Sequence, residues 1–370
     1  MHLIVFGEPN IILNSGTRNN ALNEILFHYR KYNDRVTYVS YSEEGPVSFE
    51  HNRVGFFSIG NYSKNKRIIL LNAKSLIQRV NLLLKQNDED YHIQFRVPSL
   101  FAMQMYFILR KKIRSKSVSF YVAGNWKESL KYNYPKKRYL SYFLPKIENM
   151  MLRGHKCVFA GESLLNSHKR NKKNGFAFYS TTHTMEDIKL SFHKEFENGI
   201  CFIGRIEKLK NYNFICSLSK TNIGRKYQFY MLGDGPDMSV LKERIDKEGL
   251  CNINLCGHVN TRDKFDEIVD KCKYFILPSY TEGTSKTLPE MMCRNTIPFA
   301  FKNVGSNNYI IYDNNGVLVD IDNVRQVEEF IEKIDSTPGL YKEYIMKGHR
   351  YAINNNIDNQ LDKMFKFLYE

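Results

Sequence analysis

This sequence lacks paired cysteines and long apolar runs. The chain has 370 residues and seven cysteines, and the first cysteine is Cys157. No two cysteines form a CxxC pair and their number is odd, so neither a disulfide framework nor a zinc site is expected. Buried free thiols in a reducing cytoplasm fit this pattern better. No apolar run reaches the roughly 18 to 20 residues that a membrane span needs.

Targeting signals and repeats are also lacking. Residues 1–7 form an apolar run that is too short for a signal peptide and has no basic lead, so we expect the first strand of an α/β domain there. There is no low-complexity tract and no repeat of fixed period, so a globular chain is expected. Because one hydrophobic core rarely extends over 370 residues, the length predicts two domains.

Acidic residues are scarce in the first half of the chain. Residues 1–195 contain 31 Lys and Arg against 15 Asp and Glu, whereas residues 196–370 contain 23 against 24. The formal charge of +15 therefore belongs to the first half, with basic clusters at 110–116, 136–138 and 168–173. Such an excess is typical of a domain that meets nucleic acid or an anionic lipid surface.

Strand-like and helix-like segments alternate along both halves, which predicts two doubly wound, mainly parallel sheets. In the first half, strands are expected at 2–6, 35–41, 67–71, 91–95, 117–123 and 156–159, with helices at 17–31, 73–86, 100–114, 136–152 and 163–172. In the second half, strands are expected at 199–203, 227–232, 253–256, 274–277, 297–301 and 316–319, with two helices over 324–368. The irregular, polar stretch 171–191 is expected to be the domain linker.

Two polar loops follow predicted strands of the second half. Gly204-Arg205 and Lys210 come after one strand, and Glu282 and Glu290, eight positions apart, come after another. Loops at the carboxyl ends of parallel strands collect ligands, and a helix beginning after Glu282 would offer free N–H groups to a phosphate. Arg205 and Lys210 then predict a diphosphate clamp. The plain alternative is a solvated pair of cations at a helix start, which the helix dipole disfavours.

With Gly233-Asp234-Gly235-Pro236 between them, these loops resemble the signature of the family 4 retaining glycosyltransferases, which have the GT-B fold. That signature is G-R-x4-K, then G-D-G-P, then E-x7-E. The resemblance is strong over 198–323 and only architectural over 1–195. It implies an α/β protein of two facing, Rossmann-like, doubly wound domains with a cleft between them.

The resemblance also implies that different domains of the chain have different functions. Residues 1–190 would be a strongly basic acceptor-binding domain and residues 191–350 a nucleotide-sugar-binding domain. Residues 351–370 would form a helix that crosses back to the first domain.

The same resemblance implies a role for each site residue. The catalytic residues would be Glu282, Arg205 and Lys210, and the donor-binding residues would be Arg205, Lys210, Gly283, Thr284, Ser285, Glu290, Gly16 and His258. The two cations would neutralise the leaving diphosphate, Glu282 would hold hydroxyls of the donor sugar, and Glu290 those of the ribose. Glu282 would lie at the loop entrance and Glu290 one to two turns inside the helix. Gly16 would reach toward the diphosphate and His258 would border the base, although a structural loop and a surface histidine are the alternatives.

Two positions depart from the family pattern. Asn295 stands where a glycine is usual, five residues after the second glutamate; since Asn tolerates the left-handed conformation, the turn is expected to survive. No histidine follows the middle strand of the first half, where the sequence has Asn125-Trp126. Either residue would contact the donor sugar or the acceptor instead, or Trp126 would simply pack in the core.

The activity implied is transfer of a sugar, with retention and without metal or cofactor, from a nucleotide-diphosphate sugar to a hydroxyl of a glycan or lipid-linked glycan. Bacterial surface polysaccharide synthesis is the expected setting, in the cytoplasm or at the inner face of the membrane.

A sugar-nucleotide epimerase or phosphorylase is the alternative on this fold. A nucleic-acid-binding protein is the alternative from another class, but it would need aromatics between the basic runs or a reader motif, and neither is present. An anionic membrane is a further candidate partner, because the apolar helix 100–109 has a basic end; an ordinary buried helix is the alternative there.

Overall fold

The computed structural model describes residues 1–61, 73–85, 90–111, 113, 118–126, 130, 140, 142–189 and 198–370. Within them the chain forms two compact units. The first comprises Met1–Thr182 and Asp358–Glu370, and the second comprises His183–Ile357. Each unit has its own sheet and its own hydrophobic core, as expected for two Rossmann-like α/β domains.

The first unit is built on a ten-stranded sheet. Its strands are β1 (His2–Phe6), β2 (Ile11–Ile12), β3 (Gly16–Thr17), β4 (Arg35–Ser42), β5 (Ser48–His51), β6 (Val54–Asn61), β7 (Tyr91–Val97), β8 (Val118–Val122), β9 (Lys156–Ala160) and β10 (Gly175–Phe178). The parallel part runs in the order β6-β4-β1-β7-β8-β9-β10. Short antiparallel pairs, β2 with β3 and β5 with β6, extend its edge.

Five helices before the interdomain boundary cover this sheet within the described residues. They are α1 (Asn20–Tyr29), α2 (Ala73–Lys85), α3 (Leu100–Leu109), α4 (Leu144–Leu152) and α5 (Glu162–Ser167). Helix α3 buries Phe101, Met105 and Leu109 in the core of the unit. Of the two alternatives for this apolar helix, the structure therefore favours the ordinary buried one.

Several predicted elements of the first half needed correction. The linker prediction is wrong at Gly175–Phe178, because this segment is β10 and pairs in parallel with β9. The helix predicted over 163–172 ends at Ser167 and is followed by a 3-10 turn, Lys169–Asn174. Helix α1 starts three residues later than predicted because Asn19 caps it, accepting a hydrogen bond from the Leu22 N–H at 3.1 Å. The hairpin of β5 and β6 was not predicted. The predicted strand 67–71 and the basic cluster 136–138 lie outside the described residues.

The second unit has a wholly parallel six-stranded sheet in the order β13-β12-β11-β14-β15-β16. All six predicted strands are confirmed, with ends that differ by at most two residues: β11 (Gly199–Ile203), β12 (Gln228–Leu232), β13 (Ile253–Gly257), β14 (Cys272–Leu277), β15 (Ile297–Phe301) and β16 (Val317–Val319). The chain adds strands to one side of β11 and then to the other. The strand order therefore reverses between β11 and β14, which is where such sheets bind ligands.

Nine helices follow β11 in the described part of the chain. They are α6 (Tyr212–Leu218), α7 (Asn222–Lys226), α8 (Met238–Glu248), α9 (Arg262–Val269), α10 (Thr287–Met292), α11 (Asn307–Ile310), α12 (Val324–Ser336), α13 (Leu340–Asn354) and α14 (Ile357–Tyr369). The prediction of two helices over 324–368 was wrong, because breaks near Gly339 and Asn355 make three. Almost all of α14 belongs to the first unit: Asp358 accepts a hydrogen bond from Lys31 at 2.6 Å, and Phe365 stacks on Tyr32.

The described residues include no helix both long and apolar enough to cross a membrane. They also include no group of three or more His, Cys, Asp or Glu side chains arranged to hold a metal ion. All seven cysteines are free thiols, and five of them are buried.

Candidate active site in the second unit

The residues singled out in the sequence lie on both sides of the point where the strand order reverses. Arg205 and Lys210 follow β11, and Glu282 follows β14, its neighbour in the sheet. A large buried core that includes Ile200, Phe202 and Tyr274 fixes the two strands. The positions of the two loops are therefore set by packing beneath them.

The G-D-G-P segment supports the loop that carries Arg205. The N–H groups of Gly204 and Ile206 donate to the carbonyl oxygens of Leu232 and Asp234, both at 3.0 Å. A Cβ on Gly233 would lie 1.9 Å from the Gly204 oxygen, and one on Gly235 would lie 2.3 Å from the Ile206 oxygen. Both glycines are therefore required for close contact between the two backbones.

Lys210 and Glu282 form an ion pair across the two loops. The Lys210 ammonium donates a hydrogen bond of 2.6 Å to Glu282 Oε1, and the side chains are 26% and 11% exposed. A backbone hydrogen bond from Tyr280 N–H to the Leu209 oxygen, 2.9 Å long, holds the loops together beside this pair. Because a lysine has three N–H donors, Lys210 can contact Glu282 and an anion at the same time.

Arg205 is placed differently from Lys210. Its guanidinium lies 3.6 Å from Glu207 Oε2, and its side chain is 66% exposed. The structure thus brings Lys210 and Glu282 together but leaves Arg205 in solvent at the edge of the same loop.

Gly283, Thr284 and Ser285 present unused backbone donors. Within the described residues, no acceptor is hydrogen-bonded to any of their three N–H groups. Gly283 is exposed, with open space around its Cβ position. The loop is held from behind by the Ser306 N–H, which donates to the Gly283 oxygen at 2.9 Å. Successive backbone N–H groups without an acceptor can bind an anion when they converge, so this loop is a candidate anion site.

Buried hydroxyl groups around this loop also lack partners. In the part of the chain that the structure describes, Ser279 Oγ, Thr284 Oγ1 and Ser306 Oγ are buried without a hydrogen bond. Leaving such groups unpaired is costly, and a polar ligand at this loop would offset that cost.

Glu290 lies in the first turn of α10, and so nearer the helix start than the sequence predicted. Its side chain is half-buried, and its backbone oxygen accepts from Arg294 Nη1 at 2.9 Å. Helix α10 has only six residues and ends near Asn295, whose φ of 58° is left-handed. The prediction that Asn would preserve this turn is confirmed.

Asp322 is a residue that the sequence analysis missed. It accepts hydrogen bonds from Asn211 Nδ2 at 2.8 Å and from the Tyr280 hydroxyl at 3.0 Å, so it ties the two site loops together from a third loop. The signal that would have found it is its position just after β16, at the same edge of the sheet. Asn211, the residue after Lys210, has a φ of 49° that turns the chain into α6.

His258 and Gly16 are the two predicted donor-binding residues that the loops after β11 and β14 and helix α10 do not contain. His258 is exposed and follows Gly257, whose oxygen accepts from the Gly233 N–H at 2.8 Å. Gly16 belongs to the first unit, where its φ of 88° and contact with Asn23 explain the glycine structurally. Trp126 is 5% exposed in the core of that unit, so packing is the alternative that the structure favours for it.

Comparison with known families finds a match in the second unit. Residues 185–351 match the family described as glycosyl transferases group 1. The matched segment contains every predicted catalytic and donor-binding residue except Gly16. The match covers the whole six-stranded sheet, including the ion pair at its reversal point.

Two curated relatives match parts of the chain. A GalNAc-α-(1→4)-GalNAc-α-(1→3)-diNAcBac-PP-undecaprenol α-1,4-N-acetyl-D-galactosaminyltransferase of Campylobacter jejuni is 24% identical over 51% of this chain and 52% of its own length. An uncharacterized glycosyltransferase of Methanocaldococcus jannaschii is 26% identical over 34% of this chain and 36% of its own length. The matches thus span about half or less of these relatives.

Solved structures resemble the whole chain. Sucrose-phosphate synthase of Thermosynechococcus elongatus superimposes with a TM-score of 0.70 at 11% identity, covering 100% of this chain and 99% of its own. Anabaena HepE in complex with UDP-glucose gives 0.70 at 12% identity over 99% of both chains. A glycosyltransferase of Rickettsia africae gives 0.68 at 17% identity over 99% and 97%. At these identities the likeness establishes the fold, which is GT-B with two Rossmann-like domains.

Proposed function

We propose that this protein is a glycosyltransferase that moves a sugar from a nucleotide-diphosphate sugar to a hydroxyl of a glycan or lipid-linked glycan. The observation that carries the proposal is the Lys210–Glu282 ion pair at the reversal point of a sheet in a group 1 glycosyltransferase region. An ammonium and a carboxylate 2.6 Å apart can contact a phosphate and the adjoining sugar together.

The donor would lie along the loops after β11 and β14. Lys210, and Arg205 after a rotamer change, would bind the diphosphate, and the free N–H groups of Gly283, Thr284 and Ser285 would bind the distal phosphate and sugar. Glu282 would accept hydrogen bonds from the sugar hydroxyls. Glu290 would hold the ribose and His258 would border the base; Gly16 is proposed to approach the diphosphate from the first unit.

We assign retention of configuration and metal-independent chemistry to this site. Cations and backbone N–H groups would stabilise the charge that develops on the leaving diphosphate, which is commonly the largest catalytic contribution. With Glu282 engaged by Lys210, we favour front-face transfer, in which the leaving phosphate oxygen takes the proton of the acceptor hydroxyl as the new glycosidic bond forms.

The acceptor class is proposed from charge and from one relative. The first unit carries the basic excess of the chain, and the Campylobacter jejuni relative is named for a PP-undecaprenol-linked glycan. A lipid-linked, pyrophosphate-bearing glycan combines both features. Synthesis of a bacterial surface polysaccharide, in the cytoplasm at the inner membrane face, is the setting that we propose.

Acceptor-dependent turnover tests this function. Thermal-shift assays with UDP, GDP, ADP and their sugars first identify the donor, and release of the nucleoside diphosphate is then measured with and without acceptor. We expect Lys210→Ala to lower kcat by about 100-fold, because a contact to the leaving group is removed. The matched control is Lys208→Ala, an exposed lysine of the same 3-10 turn, which should retain turnover.

The proposal is wrong if the wild-type protein releases no nucleoside diphosphate with any donor, or if Lys210→Ala and Lys208→Ala behave alike. Conversion of the sugar nucleotide without an acceptor would instead indicate the epimerase alternative.

A further inference from the structure

Helix α4 of the first unit presents an outward face that mixes apolar and basic side chains. Tyr142, Phe143 and Met150 are 64%, 56% and 59% exposed. Lys146, Met150 and Arg153 recur at helical spacing on that face, and Lys146 lies 3.8 Å from the centre of the Tyr142 ring. We call these five residues the α4 face. Large exposed apolar side chains grouped in this way indicate an interaction surface.

A depression of about 760 Å³ lies between α4 and the 3-10 turn Lys169–Asn174. Its described lining consists of Lys146, Asn149, Met150, Arg153, Arg170 and Asn171. Three of the six are cations and none is acidic. The depression therefore suits an anion.

The two elements that form the depression are fixed to each other. Glu148, on the inner side of α4, is 2% exposed and lies 3.6 Å from His168 Nε2. The other ring nitrogen of His168 is 2.9 Å from the Leu164 oxygen. Because Glu148 is the single acid in residues 142–153 and 168–174 and points inward, the six Lys and Arg of these segments dominate the outer surface.

Asn171 supplies an independent sign of a ligand. It lines the depression, is only 7% exposed, and its Nδ2 has no hydrogen-bond partner among the described residues. A buried amide donor left without an acceptor is costly. A phosphate oxygen bound beside the three cations would provide that acceptor.

We propose that the α4 face and this depression bind the surface of an anionic phospholipid bilayer, with one headgroup phosphate held by Lys146, Arg153 and Arg170. Phe143 and Met150 would enter the interfacial layer. Lys146 covers the Tyr142 ring, the Phe143 ring packs edge-on against Tyr142, and Met150 offers no stacking plane, so a bilayer fits better than a nucleic acid. This inference assigns the membrane contact of the proposed function to a defined surface of the first unit.

Vesicle co-sedimentation of the full chain tests the inference. We expect binding to phosphatidylglycerol–phosphatidylcholine vesicles and not to phosphatidylcholine alone. Lys146→Gln/Arg153→Gln/Arg170→Gln should weaken binding by about 100-fold, roughly fivefold for each cation removed. The control Arg225→Gln/Lys242→Gln/Lys264→Gln removes the same charge from exposed positions of the second unit and should bind within twofold of the wild type.

A second variant separates the apolar contribution from charge. Phe143→Ser/Met150→Ser should lose the part of the binding that persists at high salt, and circular dichroism melts verify that each variant folds. Four outcomes would each overturn the inference. Two concern vesicles: equal losses of binding in the two charge variants, or equal binding of the wild type to neutral vesicles. The others are tighter binding to a single-stranded oligonucleotide, and thermal stabilisation by inorganic phosphate without vesicle binding.

These outcomes are independent of the catalytic proposal. Vesicle binding is measured without donor, and transfer to a water-soluble acceptor is measured without vesicles, so either proposal can fail while the other stands.

Discussion

Lys210 and Glu282 are the pair of residues on which the functional account depends. Each side chain neutralises the charge of the other, and the 11% exposure of Glu282 limits competition from water. A bound diphosphate would share Lys210 with Glu282, so the pair would orient the ammonium before the donor arrives. Under the proposed function, Lys210 would therefore be preorganised for the donor, whereas Arg205 lies in solvent.

The charge of Glu282 can be removed with little change of shape. We expect Glu282→Gln to lower kcat by about 100-fold and to change the donor KM by only a few-fold, because the carboxylate would act mainly on the positive charge developing at the sugar. Steady-state kinetics with the identified donor measure both constants. Glu267→Gln, at an exposed position of α9, is the control, and a Glu282→Gln enzyme with kcat near that control would contradict the role.

At the scale of elements, the close contact of two loops explains why the G-D-G-P segment has glycines. Gly233 and Gly235 allow the loop after β12 to hydrogen-bond directly with the loop after β11. The segment thus positions the Arg205 loop from behind. This role is structural, and it follows from the backbone alone.

Gly233→Ala should distort the Arg205 loop as well as strain the backbone. Its φ is 141° and its Cβ would lie 1.9 Å from the Gly204 oxygen, so we expect a large loss of both stability and donor binding. Gly249→Ala is matched to it, since φ is 64° but nothing lies within 4 Å of the Cβ position. That variant should cost about 1 kcal/mol and bind donor normally. Urea unfolding and donor titration measure both effects, and equal behaviour of the two variants would refute the positional argument.

The sequence predicted the second unit well because each strand there is a short apolar run followed by a polar turn. The elements that it failed to predict depend on distant partners. Gly175–Phe178 has too few residues to signal a strand until β9 is available to pair with it. Likewise, Asp322 is recognisable as a site residue only once β16 is known to lie in the same sheet, and the exposed position of Arg205 depends on a rotamer that no motif specifies.

For the whole molecule, buried histidines predict sensitivity to acid. Burial lowers the pKa of His28, His92, His183 and His349, and for His92, where Lys156 adds to the effect, the pKa falls to about 4. A histidine whose pKa is lowered by folding makes its full contribution to the free energy of unfolding above pH 6.5, the pKa of the unfolded chain. That contribution is lost as the pH falls from 6.5 toward the pKa of the folded protein. His168 works in the opposite direction: burial is the largest single influence and lowers its pKa, but the contacts with Glu148 and the Leu164 oxygen together outweigh burial and raise that pKa.

The contribution of His92 can be isolated by comparing pH profiles. Between pH 6.5 and 4 the wild type should lose roughly 3 kcal/mol of unfolding free energy that His92→Gln does not lose. Urea unfolding across this range measures the difference, with His258→Gln, at an exposed position, as the control. Parallel profiles for wild type and His92→Gln would show that His92 is not buried in its neutral form.

A crystal structure with a non-transferable analogue of the identified sugar nucleotide tests the central claim most directly. The account predicts a diphosphate oxygen within hydrogen-bonding distance of Lys210 Nζ, the sugar beside Glu282, and the N–H groups of residues 283–285 turned toward the ligand. A nucleotide bound away from the carboxyl ends of β11 and β14, with the Lys210–Glu282 pair untouched by it, would contradict the account.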